Sequence, residues 1–521
     1  TGFKTMKRLP IGITTLQSIK KDNCYYVDKT PFVKKLVDNG KYFFLSRPRR
    51  FGKSLFVDTL KQAFLGNKEL FEGLYLEKNW DWSVKYPVIH IDFGSRNIKD
   101  VNLLKRWILE QLKEHITIYN VKIEEEDDYG FLFRKLILKL YQEYKTQVVV
   151  LVDEYDKPIL DNIENTEKAI EIRDILKDFY SVLKTAEPYL KFVFLTGVSR
   201  FSKVSIFSGL NQLNDITIDS RFSTICGYTQ SELETVFAEQ LEGVDLEELK
   251  RWYNGYNWLG EKVYNPFDIL LFFDKREFRP FWFETGTPTF LVKLLKQNKY
   301  YLPKVEELEV GEELLSNLDI DYIYPENLLF QSGYLTIKET QQLLGKWYYK
   351  LTYPNFEVKT SFNDAFLTHL TPPPLKNTTE IELTKAILQN NLEKLKTALY
   401  SFFASIPNDW YRKNDLDSYE GFYASVVYAL FTGSGLNTKA EDTTNVGKID
   451  LTVFYQDRAY IIKFKVVDKE AENKALSQIK EKKYYEKYAG SCREIYLIGI
   501  EFSKEKRNIV YFEYDLIMIQ S

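Results

Sequence analysis

The sequence predicts an α/β protein in three parts, and three observations carry that expectation. Up to about residue 226, short apolar runs alternate with amphipathic stretches, the pattern of a sheet covered by helices. From about Gly227 to about residue 350 the strand signal fades into helical periodicity, dense in Trp and Tyr. After Pro372-Pro373-Pro374 a second strand-and-helix pattern runs to the end, so the expected parts are 1–226, 227–350 and 351–521.

In the first part, four runs read as buried strands: Tyr42–Leu45, Val88–Ile91, Val148–Val152 and Phe192–Leu195. Each is brief, rich in β-branched or aromatic residues, and followed by polar residues or glycine. Helical stretches lie between them, notably Val101–His115 and Phe131–Tyr144. In the middle part, Thr229-Gln230-Ser231-Glu232 has the T-x-x-E form of a capping box, with Leu233 and Val236 on one helical face. That stretch suits a helical, winged-helix-like domain. The last part offers charged helices from Glu380 to Phe402, a helix near Tyr419–Phe431, and a hairpin over Lys448–Val467 turning at Gln456-Asp457. A charged helix over Lys469–Tyr488 and a strand over Glu494–Ile500 complete an α-β-β-α-β order.

Composition narrows the chemistry. The 71 basic and 74 acidic side chains leave a formal charge of −3, which excludes a histone-like global polycation. No run reaches the ~18 apolar residues of a membrane helix. Cys24, Cys226 and Cys492 lie far apart, as do His90, His115 and His369. That scatter excludes a disulfide framework, a cysteine knuckle and a clustered-imidazole zinc site, and argues against a Ser-His-Asp hydrolase. Metal chemistry is left to carboxylates and hydroxyls, which points to magnesium or manganese. Lys4 and Lys7 occur without an apolar run, so no secretory leader and a cytoplasmic location are expected.

The most informative segment is Lys41–Leu55, in which a strand enters the loop Ser46-Arg47-Pro48-Arg49-Arg50-Phe51-Gly52-Lys53-Ser54 and a helix follows. A P-loop places backbone N–H groups and a lysine around phosphates in this way, with the following hydroxyl on Mg²⁺. Arg47 stands where the first glycine is usual. Val148–Val152 then ends in Asp153-Glu154, two carboxylates at a strand terminus: the first suits Mg²⁺ support, the second polarises an attacking water. Thr196-Gly197-Val198-Ser199-Arg200 closes a third strand where polar contacts to a terminal phosphate belong. Arg49 and Arg50 suit phosphate contact or a solvated or nucleic-acid-facing role, and Arg200 a finger or sensor or a structural ion pair.

Several runs carry a family resemblance: Leu9-Pro10-Ile11-Gly12, Tyr26-Val27-Asp28-Lys29-Thr30, the Arg47–Ser54 loop and Asp153-Glu154-Tyr155-Asp156. Gly197–Lys203, Trp252-Tyr253-Asn254-Gly255-Tyr256 and Tyr264-Asn265-Pro266-Phe267 extend it. The sequence resembles the bacterial and archaeal AAA-ATPase-like proteins fused to a PD-(D/E)XK nuclease-like domain, over nearly its whole length, and Arg47 in place of glycine looks like the family's own form. The resemblance implies an ASCE-type P-loop NTPase related to signal-transduction NTPases, helical and winged-helix-like elements, and a C-terminal restriction-endonuclease-like α/β domain. Expected nucleotide contacts are Arg49, Arg50, Phe51, Gly52, Lys53, Ser54, Leu55 and Ser199. Lys53, Asp153, Glu154 and Arg200 are the expected catalytic residues, with ATP and Mg²⁺ as cofactors held through Ser54 and Asp153.

For the last part the resemblance implies an Asp on one strand, an acid-x-Lys on the next, and one or two metal ions, Mg²⁺ or Mn²⁺. Asp450 supplies the first acid and Lys465 the lysine, and Glu420 looks like an upstream metal-binding acid. Where the pattern puts Glu, the strand Tyr460-Ile461-Ile462-Lys463-Phe464-Lys465 has Lys463. That exchange turns about −1 into +1 beside the site, and at 4 Å a charge pair is worth roughly 4 kcal/mol at an effective dielectric of 20. Asp450 is therefore expected to pair with Lys463, leaving a nuclease fold that is weak or dead. Gln478 and Tyr484 sit where a related helix motif lies. Lys480, Lys482, Lys483 and Lys487, interleaved with Tyr484, Tyr485 and Tyr488, suit a solvated helix or a face that tracks a phosphate backbone.

The expected function is an ATP-hydrolysing switch joined to a silenced nuclease-like domain. The alternatives are an active ATP-regulated DNA or RNA endonuclease, with Glu420 compensating for Lys463, and a non-hydrolysing nucleotide-bound scaffold. Candidate partners are ATP, DNA or RNA through the C-terminal domain, and further copies of the chain, with no membrane.

Overall fold

The computed structural model describes residues 6–210, 212–286, 289–316, 318–414, 416 and 421–518. They gather into two compact units, residues up to 285 with 310–349, and 286–309 with 350 onward. The stretch expected as a middle part is thus divided between the two.

In the first unit, β1 (Tyr42–Ser46), β2 (Val88–Asp92), β3 (Val148–Asp153), β4 (Leu190–Gly197) and β5 (Asn214–Asp215) form a parallel sheet of order β2-β3-β4-β1-β5. Every residue of β1 and β3 is buried, which is why these strands read as unbroken apolar runs rather than alternating ones. The helices between strands begin where a short polar side chain can cap them: Asp100, Asp128 and Asn165 accept from the backbone N–H three residues on. Because the chain leaves β1 for the far edge and returns to both its sides, a crevice opens at the C-terminal strand ends. Ser46, Asp92, Asp153, Gly197 and Asp215 all end strands there.

The capping box forms as the spacing predicts, with Thr229 and Glu232 bonding each other's backbone. Asn265 likewise caps the helix Pro266–Lys275, accepting from the N–H groups of Phe267 and Asp268. The middle stretch also holds a hairpin that helical periodicity concealed, β6 (Thr336–Leu343) and β7 (Lys346–Thr352).

The second unit is built on β8 (Asn437–Asp442), β9 (Lys448–Tyr455), β10 (Arg458–Val467), β11 (Glu494–Ser503) and β12 (Asn508–Met518), in the order β12-β11-β10-β9-β8. Only β10 and β11 run parallel, joined through the helix Ala475–Lys482. The hairpin turning at Gln456-Asp457 is present, while β8 and β12 add edges the sequence pattern did not show. The expected helix over Lys469–Tyr488 starts later. The buried Glu501 carboxylate accepts from the N–H groups of Glu472, Asn473, Lys474 and Ala475, which holds that stretch as a turn feeding the helix N-terminus. Residues 286–309 join this unit through Glu306, which pairs with Lys359 at 3.0 Å and accepts from the Ala440 N–H and the Tyr428 hydroxyl.

Candidate functional site

The loop after β1 shows why arginine can stand at the first glycine position. The Arg47 side chain leaves the loop for the interior, donating to the Ser46 and Thr217 carbonyls at 2.9 and 2.8 Å and lying 4.1 Å from the Trp258 ring. Only its backbone remains in the loop. Phe51 is also an anchor, packed edge-on against Tyr256 and Trp258 at 4.8 and 5.5 Å, which accounts for the aromatic run after Trp252. Gly52 has φ 89°, a left-handed conformation that glycine adopts without strain, and a side chain there would enter open space. Arg49 lies over Trp282 and donates to the Thr285 hydroxyl, while the exposed Arg50 lies 4.7 Å from the Phe267 ring. Leu55 and Gly52 border an apolar recess with Tyr26, Val27, Cys226 and Tyr228.

Lys53 is buried, and its ammonium donates to the Arg47 and Pro48 carbonyls at 2.8 Å each, folding back over its own loop. Burial pushes its pKa down, against the pull of Asp153. The Ser54 hydroxyl donates to Asp153 Oδ2 at 2.6 Å, and the Thr196 hydroxyl donates to Oδ1 at 2.8 Å. Glu154 follows at φ 55°, with its carboxylate beside Gly94, where a Cβ would collide with it. Burial, reinforced by Asp153, pushes Glu154 up to about 7.

Asp156 is fully buried and accepts from the Ser199 N–H at 2.9 Å, the Ser199 hydroxyl at 2.6 Å and the Val198 N–H at 3.3 Å. Tyr155 donates to the Ser199 and Phe201 carbonyls. The Ser199 hydroxyl also accepts from the Phe201 N–H, so both its bonds are made within the protein. Arg200 takes the ion-pair option, meeting Asp215 at 2.9 Å, with Lys203 on the same carboxylate. Burial raises the Asp215 pKa, but Arg200 and Lys203 outweigh it and hold the carboxyl below its usual range.

In the second unit Asp450 and Lys463 face each other in register on β9 and β10, Nζ to Oδ1 at 3.4 Å. Both are buried, and Tyr484 donates to Asp450 Oδ2 at 3.2 Å. Lys465 pairs with Glu472. Glu441 on β8 accepts from Thr452, Lys487 and Tyr488. Glu420 lies outside the described residues.

Two family descriptions match this layout: "Predicted AAA-ATPase" over residues 10–207 and "PD-(D/E)XK nuclease superfamily" over 418–512. A protein described as "Uncharacterized protein in vnfD 5'region", from Azotobacter chroococcum mcd 1, is 48% identical over 508 residues, covering 97% of this chain and 98% of that one. The chain belongs to the AAA-ATPase-like family with a fused PD-(D/E)XK nuclease superfamily domain.

Within this AAA-ATPase-like protein the expected residues separate into three groups. Lys53, Ser54, Asp153 and Glu154 converge at the ends of β1 and β3. The side chains of Arg49, Arg50, Phe51, Ser199 and Arg200 are engaged with neighbouring protein groups. Asp450 and Lys463 form a closed pair rather than part of a carboxylate cluster, and among the described residues no group of three His, Cys, Asp or Glu is placed to hold a metal. Thr196, Asp156 and Asp215 are the polar residues that motif reading passed over. Thr196 and Asp156 lie inside runs already singled out, and Asp215 ends a strand of only two residues with no apolar run to mark it. The lysine helix has acidic partners on this fold: Lys480 pairs with Asp515, Lys482 with Asp442 and Lys487 with Glu441. No helix among the described residues is long and apolar enough to cross a membrane.

Proposed function

We propose that the first unit binds and hydrolyses ATP with Mg²⁺ as a conformational switch, and that the nuclease-like domain does not cut nucleic acid. The contact between Ser54 and Asp153 carries the first half of this reading. A hydroxyl and a carboxylate, each with an oxygen turned to the other at 2.6 Å, are the hard oxygen donors a small divalent cation takes. Bound there, Mg²⁺ would neutralise phosphate charge. Lys53 would release the Arg47 and Pro48 carbonyls and turn to the β- and γ-phosphates, while the loop N–H groups around Gly52 cradle them. Glu154, whose proton affinity lies near neutrality, would orient the attacking water and accept its proton. The recess beside Gly52 and Leu55 would receive the base.

The second half rests on Lys463. Its buried ammonium already neutralises Asp450, so the acid that would hold a metal has a resident cation of its own. The described residues around Asp450 therefore do not fit a metal centre. Two assays test the reading together. ATP turnover should be present in the parent and absent in Lys53→Ala; equal turnover in both would sink the ATPase half. Plasmid and single-strand cleavage in Mg²⁺ or Mn²⁺ should be absent in the parent, and cutting by the parent would sink the other half.

A further inference from the structure

The loop after β4 is held from two sides. On one side Val198 and Ser199 are fastened to Asp156, two residues beyond Glu154. On the other, the Arg200 N–H donates to Gln331 Oε1 at 2.6 Å, and the Ser202 N–H donates to the Leu318 carbonyl at 2.7 Å. The Ser202 hydroxyl donates to Asp319 Oδ1 at 2.5 Å. Asp319 also accepts from the Ser205 hydroxyl and, at 2.9 Å, from Arg173 on the helix Thr166–Thr185. Gln331 is itself fixed: its amide donates to the Leu315 carbonyl and to Asn327 Oδ1, and Arg200 Nη1 reaches the same carbonyl. Arg200, Ser202 and Gln331 are all buried.

Two features make this junction movable. Ser202 has φ 53°, in the left-handed region that a residue with a Cβ occupies only at a cost. Such a conformation persists where the surroundings over-determine it, and here both the N–H and the hydroxyl of Ser202 are spent on Leu318 and Asp319. Beside them lies a cavity of about 630 Å³, lined in part by Arg200, Ser202, Ser205, Asp319, Tyr322 and Tyr324. The loop therefore has room to shift without disturbing the close-packed core. A strained residue next to open space is a two-state element: once Asp319 lets go, Ser202 relaxes and the Arg200 backbone leaves its place.

We infer that Asp319 and Gln331 are positioning residues for ATP turnover, which set the loop carrying Arg200, and that the nucleotide in turn moves the segment they belong to. This rests on the ATP reading above and extends it to the element through which that site is regulated. Both residues act through the loop, not on the nucleotide. A nucleotide that alters the contact between Asp156 and Ser199 alters the hold of Ser202 on Asp319, and by linkage a pull on Asp319 alters Ser199. The placement of the segment gives the coupling a direction. Residues 310–349 belong to the first unit, yet in sequence they stand between two stretches of the second, so the chain runs from this segment into that unit both ways.

The test uses the full chain. Ser202→Gly keeps the left-handed backbone without strain and removes only the hydroxyl bonded to Asp319, so its melting temperature should stay close to the parent's. Asp319→Ala and Gln331→Ala remove the acceptors outright, and Ser202→Gly decides the matter where these two fail to fold. In each folded variant kcat should fall about three- to tenfold, the worth of one hydrogen bond, with KM for ATP within about twofold of the parent's. Hydrogen exchange over residues 318–331 of the parent should be slower with a non-hydrolysable ATP analogue than with ADP, and Ser202→Gly should abolish that difference. Parental kcat in the folded variants overturns the inference and leaves the ATP reading standing. So does exchange over 318–331 that ignores the nucleotide in the parent, or that keeps its nucleotide dependence in Ser202→Gly. A parent that turns over no ATP overturns both.

Discussion

Ser54 and Asp153 stand 99 positions apart in sequence, yet the Ser54 hydroxyl donates to Asp153 Oδ2 at 2.6 Å. The first turn of the helix Lys53–Leu65, entered from β1, meets the end of β3, and Thr196 on the intervening β4 holds the other carboxylate oxygen. Ser54→Ala removes one hard oxygen and leaves Asp153 on Thr196 alone. Affinity for ATP in Mg²⁺ should fall by about 10- to 100-fold, the usual loss when the groups arranging a metal site are removed. Affinity in EDTA should change far less. Titration calorimetry in the two buffers checks this, and equal losses in both would remove Ser54 from the metal.

Glu154 makes a prediction about stability as well as rate. Its folded pKa of about 7 lies above the roughly 4.3 of a free glutamate. The folded protein thus holds this proton more tightly than the unfolded chain does. Stability from this group is highest below about pH 4, falls as pH rises to about 7, and is flat beyond. Glu154→Gln cannot titrate. In EDTA without nucleotide the variant should match the parent near pH 4 and exceed it at pH 8 by on the order of 3–4 kcal/mol. Its ATP turnover should be lost while binding persists. A melting difference that stays constant from pH 4 to 8 would mean that Glu154 is not desolvated as described.

The Asp156 carboxylate fastens the loop after β4 to the loop after β3, through the Val198 and Ser199 N–H groups and the Ser199 hydroxyl. Asp156→Ala leaves those buried donors without an acceptor and should destabilise the first unit by about 2–4 kcal/mol. The loop carries Arg200, so turnover should fall more than ATP affinity. Denaturant melts alongside kcat and KM separate the two effects. Unchanged kcat in a folded variant would make Asp156 a purely structural fastener.

The site and the fold were legible to different degrees. Gly52-Lys53-Ser54 and Asp153-Glu154 are local: short motifs on strand ends, readable because a parallel sheet buried on both faces leaves unbroken apolar runs that end abruptly. Arg200 reads equally as a sensor or an ion-pair partner in the sequence because Asp215, which it meets, sits on a strand of two residues. The edge strands β8 and β12 were missed for a related reason: Asn437–Asp442 is mostly polar, and β12 interleaves Glu513 and Asp515 with Tyr514 and Leu516. The late start of the helix at Ala475 depends on Glu501, which is 26 residues away from Ala475 and silent in any local pattern. Lys463, in contrast, is legible through the family resemblance, which puts Glu at its place and Asp450 on the neighbouring strand, so that a charge reversal there constrains its partner.

That pair gives the last prediction. Asp450 and Lys463 are both buried and 3.4 Å apart, so removing one leaves the other as an uncompensated interior charge. Lys463→Met should destabilise the second unit by about 3–5 kcal/mol, whereas Asp450→Asn combined with Lys463→Met should recover most of the loss. Lys463→Glu poses the complementary question. It places a carboxylate in register with Asp450, so the variant should melt below the parent in EDTA and rise when Mn²⁺ or Mg²⁺ is added, by about 2.7 kcal/mol at a hundred times the dissociation constant. The parent should not respond, because Lys463 already supplies the positive charge. A parent that is stabilised by the metal as strongly as Lys463→Glu would show that a second set of acids holds the ion, and cleavage by Lys463→Glu alone would identify Lys463 as the residue that silences the fold.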